Sequence, residues 1–198
     1  MEKIILQFPL ILLVLHIQGG HFSDNPVLLI NTIYATCEVT PVHNLPPSQP
    51  EIFGQILFKQ LFPNGTLEVK INLRGFPAID NQVRAIHIHE DGDLSHTLGS
   101  HNPHDVDHPD HPGDLGNFAS KQGVIRQFLT LPDAKLFGAH SILGRSVVVH
   151  EKDDLGMGSD ESKHRGNAGK AIAVCVIGIT TPSLWQKTDV EEGTGSPR

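Results

Sequence analysis

Basic residues are in deficit in this 198-residue chain: 15 Lys and Arg stand against 22 Asp and Glu, a formal charge of −7. Binding to phosphate backbones needs a basic footprint, so nucleic acid is excluded as the default partner. No apolar run reaches the roughly 20 residues that a membrane span requires, so no permanent anchor is expected. Internal repeats are missing, and no segment combines helix caps with helical periodicity, so no helix is expected. Cysteine is scarce too. With Cys37 and Cys175 alone, one intramolecular disulfide is the most the chain can form; the other reading is two separate buried thiols.

What the chain does have begins at its amino end. Lys3 precedes an apolar run from Ile4 to Ile17, followed by Gly19 and Gly20, which reads as a secretory signal over residues 1–20. Secretion places the cysteines where disulfides persist. In that compartment the sequon Asn64-Gly65-Thr66 can carry a glycan, although Asn-Gly is also a hairpin turn in its own right. Residues 21–35 read as a leader, 36–181 as one folded domain, and 182–198 as a loose polar tail.

The domain reads as strands. Leu67, Val69, Ile71 and Leu73 alternate with polar residues, the period of a half-buried strand. This segment and EIFGQILFKQLF flank the Pro63-Asn64-Gly65 turn. A second hairpin is expected in NFASKQGVIRQFLT, turning near Lys121-Gln122-Gly123. RAIHIHE, ILGRSVVVHE and KAIAVCVIGIT supply further strands, separated by two long loops, Asp91 to Gly116 and KDDLGMGSDESKHRGNAG. Seven or eight short strands with two long loops indicate an antiparallel sandwich or barrel.

The chemistry gathers in the histidines. His87 and His89 sit two apart on a strand, so both imidazoles face one side and can reach one ion. The loop SHNPHDVDHPDHPGD holds four His, four Asp and three Pro in Ser100–Asp114. His101, His108, His111 and Asp114 offer three imidazoles and one carboxylate, a set that suits four-coordinate zinc. A disordered, metal-sequestering tract is the other reading of that loop. His150 ends a buried strand. Together these residues divide into an all-nitrogen set and a three-nitrogen, one-oxygen set, a division that suits copper beside zinc.

The motifs HIHE, GSHNPHDVDHPDHPGDLGNF, HSILGRSVVVHE, DDLGMG and GNAG, in that order over Thr36 to Thr181, resemble the copper/zinc superoxide dismutases. HPDHPGDLGNF and the later SLW are most similar to the extracellular branch. The resemblance implies an all-β fold, an eight-stranded antiparallel Greek-key barrel with a metal-binding loop and an electrostatic loop. It implies copper held by His87, His89, His101 and His150, and zinc held by His101, His108, His111 and Asp114. His101 would bridge the two ions and pass a proton to departing peroxide. Asp153, counted back from DDLG, would be the outer carboxylate linking ligand histidines. Cys37 and Cys175 match a bond of extracellular members that joins the first and last strands.

Departures from the family pattern touch the loops around the copper position. The arginine expected two residues after GNAG is Ala171, beside Lys170. Losing a charge-assisted contact of about 1.5–3 kcal/mol implies capture slowed roughly ten- to a hundredfold. Lys163, His164 and Arg165 lie in the same loop, as compensating charge or as a solvated cluster. Ser95–Gly99 contains no cysteine and Val174 fills the other position, so the family's usual loop disulfide is missing. Asp91 replaces a phenylalanine, the aromatic between His101 and Asn102 is absent, and the segments from His150 to DDLG and on to GNAG are each one residue short. The acidic DVEEGTGSPR gives no basic cluster for heparin. The expectation is a secreted, extracellular enzyme that converts superoxide to oxygen and hydrogen peroxide, slowed by Ala171 and compatible with homo-oligomers. The alternative is a non-catalytic, dismutase-like protein that binds metal or another protein.

Overall fold

Alternation and β-branched content produce strands wherever expected, and a computed structural model describes residues 32–95, 112–154 and 167–193. In chain order the strands are β1 (Thr32–Pro41), β2 (Phe53–Leu61), β3 (Leu67–Arg74), β4 (Val83–Ile88) and β5 (Asp114–Ala119). There follow β6 (Val124–Leu131), β7 (Ser146–His150), β8 (Ala171–Val176) and the short β9 (Gly178–Ile179). Every described pairing between strands is antiparallel. The order around the sheet is β5-β4-β7-β8-β1-β2-β3-β6, with β9 paired to β1. Its crossovers give an eight-stranded Greek-key barrel, nearly closed.

The alternating residues of β3 behave as their pattern requires. Leu67, Val69, Ile71 and Leu73 are buried, and they meet Ile56, Phe58, Ile86, Ile88, Val147 and Val149 in one core. Cys37 and Cys175 join β1 to β8 across that core in a disulfide. Gln60 is a buried polar exception, and it is satisfied: its Nε2 donates to the Gly65 carbonyl at 2.8 Å and its Oε1 accepts from Leu136 N at 2.7 Å. It thereby ties the β2–β3 turn to a distant loop, since a buried amide must find partners.

Two expectations need correction. The turn at Lys121–Gly123 exists, with Gln122 and Gly123 at positive φ and Lys121 bridged to Val124. Yet it does not close a hairpin ladder, because β5 pairs with β4 and β6 with β3. The two strands part after the bridge and form the seam where the barrel fails to close. The described part of the expected loose tail is helical; residues 194–198 lie outside the described residues. Pro182–Gly193 forms a helix, α1, begun by proline at a position where its missing N–H costs nothing. Trp185 is 6% exposed, with its ring 6.5 Å from that of Tyr34 and under the ammonium groups of Lys59 (5.4 Å) and Lys70 (4.8 Å). Leu57, on the outward face of β2 beside Lys59 and Lys70, is buried as well. Thus α1 caps the outer face of β1–β3 through one large side chain.

Candidate metal centre

Ile86 and Ile88 fill the barrel core, so the intervening side chains of β4 must leave its outer face. His87 and His89 do so, and His150 joins them from β7, the neighbouring strand. The ladders slip at Ile86/His87 and again at Val149/His150. Bulges of this kind re-aim a side chain, and here both fall on a histidine of the cluster. One ring nitrogen from each of the three residues lies within 4.8 Å of the others, and all three residues are buried.

The rings are fixed from outside. Nδ1 of His150 donates to the Gly169 carbonyl at 3.1 Å, which leaves its Nε2 facing Nε2 of His89 at 3.4 Å. Nε2 of His87 points the other way, 3.8 Å from Oδ1 of Asp114 and 3.8 Å from Oδ2 of Asp154. Burial, with the His150 ring beside it, pushes His89 down to about 4. His150 is lowered by burial too, partly offset by its bond to Gly169 and by Asp154 and Glu151. Burial therefore favours the neutral form of His89 and His150, with lone pairs available, which is the state a metal ligand needs. Three converging ring nitrogens fit a borderline or nitrogen-preferring transition metal.

Of the neighbouring pair Asp153 and Asp154, the carboxylate beside His87 is that of Asp154. Its backbone N–H donates to Asn117 Oδ1 at 2.8 Å, its carbonyl accepts from Asn117 Nδ2 at 2.6 Å, and its Oδ1 accepts from Asn167 N at 2.9 Å. Asn117 of β5 thus selects which aspartate turns inward; Asp153, the preceding residue, is less buried. Counting back from DDLG misses this because the segment is one residue short. Asn117 and Asn167, not singled out from the sequence, are legible in hindsight only as the asparagines of DLGNF and GNAG.

Asp114 opens β5 in register with His87. His101, His108 and His111 lie outside the described residues, as do Lys163, His164 and Arg165. Ala171 is the cross-strand partner of His150, so the two side chains share a face.

The chain is similar to known proteins. The family model for copper/zinc superoxide dismutase matches residues 52–177. The chain is 47% identical over 161 residues to the extracellular superoxide dismutase [Cu-Zn] of Mus musculus, covering 78% of this chain and 64% of that protein's length. To the protein of the same name from Homo sapiens it is 44% identical over 162 residues, covering 78% and 68%. Among solved structures, that of the clock protein EA4 superposes with a TM-score of 0.61 at 32% identity, over 74% of this chain and 94% of the other.

Proposed function

The chain belongs to the copper/zinc superoxide dismutase family, and from that premise we propose that it is a secreted dismutase converting superoxide to oxygen and hydrogen peroxide. The observation that carries the reading is the buried cluster of His87, His89 and His150. Copper is assigned to these three and His101; zinc is assigned to His101, His108, His111 and Asp114. When bound, copper supplies the alternation between Cu(II) and Cu(I) that dismutation needs, while zinc adds charge and order without redox chemistry.

The protein's own part is to hold the rings in fixed orientations. The Gly169 carbonyl keeps the proton of His150 on Nδ1 and leaves Nε2 for the ion. Asp114 and Asp154 face Nε2 of His87, which leaves its Nδ1 for the cluster. His101, common to the copper and zinc sets, would be the residue that supplies a proton to the hydrogen peroxide product. Steering of the anion is the weak point. An arginine at Ala171 would stand beside His150, where alanine offers no charge.

Secretion is supported by the extracellular relatives and by the disulfide, which persists in oxidising compartments. Asn64 is exposed on the β2–β3 turn, open to a glycan. The second reading, a metal-binding protein without turnover, is favoured by Ala171. Stopped-flow measurement of superoxide decay with the copper- and zinc-loaded protein decides between them. The dismutase reading expects a rate well above buffer, and Ala171→Arg should raise it about ten- to a hundredfold. Bound metal with decay no faster than buffer assigns the binding role.

A further inference from the structure

Glu151 follows His150, so in an extended chain its side chain leaves on the opposite side from the ring. It does not run out into water. Its Oε2 accepts from Nε2 of Gln49 at 3.2 Å, a residue 102 positions away on the loop between β1 and β2. That loop is itself tied down, by Gln49 N to the Pro46 carbonyl at 2.9 Å and by Val42 N to the Ile172 carbonyl at 3.1 Å.

The other carboxylate oxygen of Glu151 lies against Gly169. A Cβ built on Gly169 would meet Oε1 at 2.5 Å and Cγ at 2.7 Å, so the glutamate fills the space a side chain there would need. Gly169 also has φ 78°, a conformation glycine adopts without penalty. Two backbone bonds clip this stretch to the end of β7: Glu151 N donates to Lys170 O at 2.9 Å and Lys152 N to Ala168 O at 3.2 Å. The carbonyl of Gly169, between those clips, is the acceptor for Nδ1 of His150 at 3.1 Å.

We propose that Glu151, braced by Gln49, is a positioning residue: it packs onto Gly169 and holds that carbonyl where it fixes the tautomer and aim of His150. The β1–β2 loop thereby becomes part of the support of the histidine cluster. The chemical importance of that aim rests on the dismutase reading; the positioning itself does not.

The test is imidazole NMR on metal-free protein carrying 15N-histidine. A buried, bonded Nδ1 proton exchanges slowly with water. Glu151→Ala and Gln49→Ala are expected to speed exchange at His150 about tenfold, the effect of losing one hydrogen bond's worth of order. Glu151→Gln, which keeps the shape and an acceptor oxygen for Gln49, should restore slow exchange. The same measurement at His89 should not change. Slow exchange persisting in a folded Glu151→Ala, or Glu151→Gln behaving like alanine, overturns the proposal. If Glu151→Ala does not fold, Gln49→Ala decides alone. A failure of the loaded protein to dismute superoxide would sink the functional reading and leave this result standing.

Discussion

Nε2 of His89 and Nε2 of His150 face each other at 3.4 Å among the buried side chains of the outer barrel wall. Two ring nitrogens so placed either share one proton or address one cation. A second proton has no acceptor there, so acid opposes the arrangement.

The first expectation follows in the metal-free protein. His89 sits near 4 when folded against 6.5 in the open chain, and His150 is lowered as well. Between those values the unfolded chain binds more protons than the folded one, so stability rises with pH. Stability is intact above about 6.5 and falls as pH drops toward about 4, by at most roughly 3 kcal/mol from His89. Asp154 and Glu151 temper the share of His150. Urea unfolding across that window should show the slope, and His89→Gln should flatten it.

Asp154 and Asp153 are expected to differ sharply although they are neighbours. Asp154→Asn removes the carboxylate charge beside His87, and a loss of about ten- to a hundredfold in metal affinity is expected. Asp153→Asn should leave affinity near that of the parent. Competition against a chelator of known affinity measures both.

Trp185 is the sole tryptophan and the anchor of α1. Trp185→Ala is expected to cost roughly 3 kcal/mol, by loss of a large buried ring. It should also reduce the helical signal in circular dichroism. In the parent, Lys70→Ala should shift the Trp185 emission, because the ammonium sits 4.8 Å from the ring centre.

The Cys37–Cys175 bond spans 138 residues of sequence. Closing a loop of that size in the unfolded chain is worth about 4–5 kcal/mol on the chain-entropy argument. Reduced protein should therefore unfold at lower denaturant than oxidised protein, with a steeper dependence if its denatured state is more expanded.

The strands were legible because their signal is local. Leu67, Val69, Ile71 and Leu73 alternate, and alternation on a half-buried strand has one structural answer. His87 and His89 were legible for the same reason, since the period of two puts them on one face. α1 was not legible: its docking depends on Trp185 finding Tyr34, Lys59 and Lys70 on other strands, a contact with no periodicity to betray it. The choice of Asp154 over Asp153 was set by Asn117, a partner 37 residues away. The parting of β5 and β6 was set by competition from β4 and β3 for the same edges, which a turn signal at Gln122-Gly123 does not report.

The order of the strands assigns the barrel two fasteners of different kinds. Half of the path, β5-β4-β7-β8, carries the histidines and Asp114; the other half, β1-β2-β3-β6, carries the bed of α1, and the sulfur bridge stitches the halves where β8 meets β1. Neither sulfur belongs to the imidazole cluster, so one fastener can be undone while the other stays shut. A thiol reductant and a chelator are thus expected to loosen the wall at separate places, and a molecule without its ions keeps the bridge that sews β1 to β8.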